Sequence, residues 1–254
     1  MAETLFRIRE AVIATEVVDG ISVLRLERNA LVPGLLQELV EQLKLAGSSK
    51  KPVILTNAGQ AFCVGADLNW LASLHDPALG VADLVAVHHL AISTIVEMPV
   101  PVIAAVNGAV AGGGLGLALA PDYCIAAERA TFTAAYFRLG LTPDGGASAF
   151  LEHAIGPART KELLLTNRRL SARDACAWGL VNEMVESDAL LNRALSFANS
   201  LVPVPSYALL ETRRLLDTMN LRNQLQLESV AIRTAARGEF FRERLREFRE
   251  RHRE

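Results

Sequence analysis

No charged residue occurs between Glu97 and Asp122. Apolar surface of that extent is stable only in a membrane or in a folded interior. The same interval carries Pro99, Pro101, Asn107, Gly108, Gly112, Gly113, Gly114, Gly116 and Pro121. Proline and glycine at this density break a lone lipid-exposed helix. The interval therefore reads as a buried strand at Val102–Val106, a turn at Asn107–Gly112, and a short buried helix opening within the triple glycine.

The same alternation extends in both directions. AVIATEVV and ISVLRLE flank Asp19-Gly20, the signature of a β-hairpin with a type I′ turn. Pro33 stands at a first helical position, and Leu35, Leu36, Leu39, Val40 and Leu43 recur on one helical face. Val53–Thr56 is a continuous apolar run of the buried-strand kind. A loop over Asn57–Gly65, a short helix from Asp67 and a helix over Val81–Glu97 follow. Strands alternating with helices predict an α/β class with mostly parallel strands. Ser171 with Asp174 resembles a capping box, and Gly179 is a helix stop. Beyond Asp188 the pattern is helical, broken by Val202-Pro-Val-Pro205, with Ser206 able to cap the next helix. These signals place an α/β core with the site over residues 1–190. A helical segment over 191–254, too small to bury a core alone, packs on that core or on another subunit. No internal repeat stands out.

Charge narrows the function. The 254 residues hold 26 basic and 28 acidic side chains, a formal net charge of -2, which argues against a nucleic-acid binder. From Arg237 onward seven arginines alternate with five glutamates, while Phe241, Leu245 and Phe248 recur at helical spacing. That combination reads as a solvated amphipathic helix at a subunit contact. Cys63, Cys124 and Cys176 are far apart and lack metal spacing, so three reduced thiols in a cytoplasmic protein are expected. The charged start, MAETLFRIRE, has no apolar signal core, and secretion is not indicated.

Two turns could carry chemistry: Gly59-Gln-Ala-Phe-Cys-Val-Gly-Ala-Asp67-Leu, and Asn107-Gly-Ala-Val-Ala-Gly-Gly-Gly114-Leu-Gly-Leu. Glycine lets the main chain approach a ligand, and each turn opens into a helix whose first N–H groups lack partners. Two N–H groups aimed at one point make an oxyanion hole. The triple glycine could equally serve close helix–strand packing alone. Neither turn is a nucleotide-binding fingerprint.

In this order the turns resemble the enoyl-CoA hydratase/isomerase (crotonase) superfamily. The resemblance includes Asn29-Ala-Leu, Ala61-Phe-Cys-Val-Gly-Ala-Asp-Leu, Pro101-Val-Ile-Ala-Ala-Val-Asn-Gly-Ala-Val-Ala-Gly-Gly-Gly and Gly140-Leu-Thr-Pro-Asp-Gly-Gly. It continues through Leu165-Thr-Asn-Arg and Ala177-Trp-Gly-Leu-Val, and departs where the segment before Asn-Ala-Leu is shortened to Arg28-Asn29. It implies a crotonase-like ββα superhelix core and a helical C-terminal trimerisation region. A homotrimer or dimer of trimers is expected, acting on an acyl-CoA thioester. CoA then enters as part of the substrate, with no separate cofactor, metal, nucleic acid or membrane. By position the oxyanion N–H groups are those of Ala66 and Gly113, and CoA lies along Val64, Gly65, Ala66, Asp67 and Leu68.

The acid and base groups depart from the hydratases. Their two glutamate positions are Gly116 and Tyr136 here, which argues against water addition by two carboxylates. One carboxylate remains, Asp144 in a Pro-Asp-Gly-Gly turn. Its pKa is expected to be raised by desolvation, which suits 1,3-proton transfer, the enoyl-CoA isomerase reaction. Asp144 could equally cap a helix over Gly145–Ile155. A rival constellation pairs Asp144 with His89, twelve residues before Pro101, as the 4-chlorobenzoyl-CoA dehalogenases resemble. There aspartate is the nucleophile and histidine activates water for dehalogenation or thioester hydrolysis. Tyr136 lines the acyl pocket or donates a hydrogen bond. Trp70 walls that pocket or is core, Trp178 is core, and Asp122 ends a buried helix. A non-catalytic acyl-CoA- or RNA-binding member is the remaining alternative.

Overall fold

A computed structural model describes residues 12–217 and 220–251. The N-terminal decapeptide and the last three residues of the basic tail lie outside the described residues. The chain opens with β1 (Ile13–Val18) and β2 (Ile21–Leu26). Asp19 and Gly20 both have positive φ, 53° and 80°, as a type I′ turn requires. Pro33 begins α1 (Pro33–Gly47), whose Leu35, Leu36, Leu39, Val40 and Leu43 are all buried.

Next come β3 (Val53–Asn57), β4 (Ala61–Cys63), α2 (Leu68–Ser73) and α3 (Pro77–Val96). α3 starts a turn earlier than the apolar pattern suggests, because Asp76 accepts from Ala78 and Leu79 N–H and Pro77 preorganises the first turn. α3 is long and apolar enough to cross a membrane, but a soluble protein's core helix passes the same test. Val81, Leu84, Val85, His88, Ile92 and Ile95 form its buried face.

The uncharged interval folds as expected: β5 (Val102–Val106), β6 (Ala109–Ala111) and α4 (Gly114–Leu119). Then follow β7 (Tyr123–Ala127), β8 (Thr131–Thr133), α5 (Ala147–Thr166), β9 (Leu170–Ser171), α6 (Ala172–Trp178) and β10 (Glu183–Val185). α7 (Leu190–Ser200), α8 (Ser206–Leu216), α9 (Leu221–Ala236) and α10 (Glu239–Arg251) complete the chain.

One sheet runs β1-β2-β3-β5-β7-β10 and the other β4-β6-β8-β9. Consecutive strands β3/β4, β5/β6 and β7/β8 divide between the sheets in the same order, so strand, strand, helix recurs three times. The second strand of each unit has only three residues, too few for a period to show; β4 and β6 sit inside what read as loops. In the large sheet Ile21, Val23, Ile54, Ile103, Ile125 and Ala127 face Leu190, Ala194 and Ala198 of α7. The alternate residues face the main core with α1, α3 and α4.

The main chains meet closely where the sheets join α4. A Cβ on Gly114 would lie 2.1 Å from the Cys63 carbonyl oxygen. Part of the triple glycine therefore serves packing. Cys63 and Cys124 are buried free thiols, pushed up to about 12 by desolvation, and Cys176 is a half-buried free thiol.

Several sequence expectations need correction. Asp122 does not cap α4; its carboxylate accepts from Val102 N–H at 2.8 Å and pairs with Arg213 of α8 at 2.6 Å. Ser206 is the first residue of α8, preceded by Pro205, and makes no side-chain cap. Trp178 does pack against the main core, half-buried, and also carries the guanidinium groups of Arg159 and Arg168 at 4.7 and 4.8 Å from its ring centroid. The apolar face of α10 is covered within the chain, where Phe241 and Leu245 pack with Leu71, Val81, Val85 and Leu141.

Gly114→Ala is expected to cost about 1–3 kcal/mol, the usual penalty of overpacking. Gly34 has nothing within 4 Å of a built Cβ. Gly34→Ala is therefore expected to be neutral, or to stabilise by up to about 1 kcal/mol. Urea unfolding of the two variants beside the parent checks both.

Candidate active site

Both glycine turns open on one cavity of about 540 Å³. The first turn is lashed down by Asn29-Ala-Leu: Val64 N–H donates to Asn29 O at 2.7 Å, Leu31 N–H to Gly65 O at 2.8 Å, and Asp67 N–H to Leu31 O at 3.0 Å. In this parallel bridge between Leu31 and Ala66, the Ala66 N–H points away from Leu31. Across the cavity wall, Gly112 N–H donates to Thr133 O and Leu115 N–H to Gly112 O, with Gly113 N–H left between them. The turns touch, since a Cβ on Gly65 would lie 3.3 Å from Gly113 N.

Val64, Gly65, Ala66, Asp67, Leu68 and Gly113 all line the cavity. The Asp67 carboxylate is occupied, accepting from Trp70 N–H at 3.0 Å and pairing with Arg28 at 2.9 Å. Trp70 packs partly into the core and is not among the lining residues.

Asp144 reaches the cavity from the turn before α5, with its side chain 8% exposed. Its Oδ2 lies 3.1 Å from His88 Nδ1 and its Oδ1 2.5 Å from His89 Nε2. Burial pushes this carboxyl up, but the hydrogen bonds and charge of the two imidazoles outweigh it and hold the group well below the usual carboxylate range. The expected raised pKa is thus overturned, because sequence showed the apolar setting and not the second histidine. An ionised carboxylate can only accept, so His88 donates from Nδ1. Its Nε2 is buried and has no partner among the described residues.

His88 is the histidine that lines the cavity; His89 is not among the lining residues. Sequence reasoning singled out His89 and passed over His88. The available signal was its helical phase with Leu84, Val85 and Ile92, which buries it and obliges it to find a partner. Tyr136 lines the cavity and donates its hydroxyl to the Asp144 main-chain oxygen at 2.9 Å. Burial, then the negative charge of Asp144 and Glu228, pushes its own ionisation well up, so it remains a donor.

No side chain fits at the first of the two hydratase-like glutamate positions. A Cβ on Gly116 would lie 2.2 Å from the Gly145 carbonyl oxygen. Gly145 is equally constrained, with a φ of 67° and a built Cβ 2.1 Å from His88 Cε1. Asp144 does not cap α5 with its side chain. That role falls to Glu228 of α9, whose Oε2 accepts from Gly146 N–H at 2.7 Å and Oε1 from Ser148 N–H at 3.0 Å. Nothing local in the sequence marks Glu228, because its partners are 80 and 82 residues away. His89, Asp144 and Glu228 bring potential metal-ligand atoms within 4.8 Å of one another. Each of those carboxylate oxygens already accepts from an imidazole or from the α5 N-terminus.

Comparison with known proteins agrees with this architecture. The sequence matches the enoyl-CoA hydratase/isomerase family over residues 16–254. It is 36% identical over 198 residues to a 1,2-epoxyphenylacetyl-CoA isomerase of Escherichia coli K12, covering 75% of each chain. It is 32% identical over 209 residues to a 4-chlorobenzoyl coenzyme A dehalogenase of an Arthrobacter species, covering 77% of this chain and 74% of that one. The crystal structure of an enoyl-CoA hydratase from Bacillus halodurans superposes with a TM-score of 0.84 at 26% identity, over 93% of this chain and 100% of that one. With its paired sheets, glycine turns and C-terminal helices, the chain belongs to the enoyl-CoA hydratase/isomerase (crotonase) family.

Proposed function

We propose that the protein isomerises an enoyl-CoA by 1,3-proton transfer through a thioester enolate. One observation carries the reading: the buried Asp144 carboxyl, held between two imidazoles, shares its cavity with the two glycine turns, while Gly116 and Tyr136 leave no carboxylate at the two hydratase-like positions. CoA lies along Val64–Leu68 and the acyl group among Val81, Leu84, Val85 and Leu141. The thioester oxygen accepts from Ala66 and Gly113 N–H, each worth about 2.7–4 kcal/mol to the transition state. Asp144 takes a proton from one carbon and returns it to another. Its depressed proton affinity makes it a modest base and, once protonated, a strong acid. Return of the proton is then fast, and generating the enolate rests on the two N–H groups.

A second reading draws on the same hydrogen bonds. A carboxylate held between two imidazoles is suited to attack an aryl carbon, the step that the resemblance to 4-chlorobenzoyl-CoA dehalogenases implies. In that case His88, the histidine at the cavity, activates water rather than His89.

Trans-3-hexenoyl-CoA and 4-chlorobenzoyl-CoA, followed in parallel by mass and chromatography, separate the two. The 2-enoyl isomer is expected, and Asp144→Asn should lower its rate by about 10²–10⁴-fold. Isomerisation that survives this substitution, or chloride release that needs both His88 and Asp144, overturns the assignment. Because the folded carboxyl ionises below its usual range near about 3.9, Asp144 stays charged down to that pH. The rate profile should therefore show no acid limb from Asp144 between about pH 5 and 7, where a carboxyl raised by burial would place one.

The same reading includes a homotrimer or dimer of trimers. Tyr207 and Leu215 on α8 and Val230 on α9 are 75%, 81% and 69% exposed, a surface suited to a subunit contact. Sedimentation should return three or six chains of 27.5 kDa, and a monomer at micromolar concentration overturns the assembly.

A further inference from the structure

α5 is preceded by a residue with no side chain, Gly146, which makes no side-chain cap. The first N–H groups of a helix need acceptors and draw negative charge. Here the charge comes from the C-terminal segment. Glu228, 4% exposed, takes Gly146 N–H on one oxygen and both the N–H and the hydroxyl of Ser148 on the other, the last at 2.5 Å. Gln224, one turn earlier on α9, donates to the same Ser148 hydroxyl at 2.9 Å. Leu221 and Leu225 anchor that stretch of α9 in the main core.

Position 146 is closed to a serine or aspartate cap, because φ there is 78° and a Cβ would lie 2.5 Å from Phe150 Cε2, so the acceptor must come from outside the turn. Glu228 meets that need from a distant helix and stands beside the Asp144 turn, where burial raises its pKa and the Ser148 and Gly146 donors oppose the rise. The groups that face it are Asp144, His89 and Tyr136. Three restraints thus meet on the Asp144 turn: two imidazoles on its carboxylate, Tyr136 on its carbonyl, and Glu228 on the N–H groups that follow it.

Resting on the isomerase reading above, we propose that Glu228 is a positioning residue. It holds the Asp144–Gly146 turn and the His89 ring in the arrangement that presents Asp144 to the acyl chain. Turnover then depends on α9 being docked, although no α9 carboxylate meets substrate.

Glu228→Gln keeps the shape and one acceptor oxygen, and Glu228→Ala removes both. The full-length variants are compared by nitrogen-15 NMR of the histidine rings, assigned with His88→Gln and His89→Gln, and by kcat and KM for trans-3-hexenoyl-CoA. For Glu228→Gln the His89 signals should be displaced and the melting midpoint nearly kept. Its KM should stay within about threefold while kcat falls about 10²-fold, the effect of a misplacement of about 1 Å. Glu228→Ala should displace the signals further and lower the midpoint. Unmoved His89 signals in Glu228→Gln overturn the proposal whatever the activity, and displaced signals with parental kcat overturn it too. If the parent leaves trans-3-hexenoyl-CoA unchanged while the His89 signals move in Glu228→Gln, the isomerase reading fails and the placement of His89 by Glu228 stands.

Discussion

A carboxylate taken out of water must be met by donors on every side, or it takes up a proton and loses its charge. Asp144 is met by His88 and His89, consecutive residues of α3, one on each oxygen. Adjacent helical residues point in directions about 100° apart, so they can grip one carboxylate only if it sits between their faces. That fixes the turn before α5 against α3. It also demands glycine at 145, where any side chain would enter the His88 ring, and at 116, where it would meet the Gly145 carbonyl. The absence of a glutamate at 116 follows from this packing.

The rest of the scaffold serves the approach of main chains to one another. Asn57 donates to Arg28 O and Phe62 O, and Asn107 donates to Gly59 O, so asparagine amides tie together the corners where strands pass between sheets. Gly114 backs directly onto β4. The result is that two main-chain segments far apart in sequence stand side by side on one cavity. Main-chain donors held by a sheet need little reorganisation when charge develops on a carbonyl oxygen, which is what the proposed enolate route asks of them.

The C-terminal helices are joined to this centre rather than appended to it. α7 covers the back of the large sheet, α9 contributes Ile232 to the cavity wall and Glu228 to α5, and α10 brings Phe248 to the cavity. Arg213 of α8 adds a separate tie, reaching Asp122 and the carbonyls of Val96, Met98 and Val100. A periodic reading of residues 191–254 shows helices with apolar faces. Which residues those faces meet is not encoded locally.

Much of the fold was legible because its signals are local. A type I′ turn needs Asp-Gly, Pro33 suits only a first helical turn, and glycine and proline exclude a membrane helix between Glu97 and Asp122. The glycine turns and Asp144 were legible in the same way, as were the family and its α/β class. The three-residue strands were not, since pairing rather than pattern creates them. The partners of Asp122, the two arginines over Trp178, the pocket-facing choice of His88 over His89 and the placement of Glu228 at α5 were equally hidden. Each joins residues tens of positions apart, or turns on helical phase within a packed core. By itself the sequence determined the hairpin, the longer strands and the helices, and which backbone could come close to a ligand. Only the tertiary structure decided which titratable groups share one buried space. Their ionisation depends on distance and desolvation, and neither exists until the chain has folded.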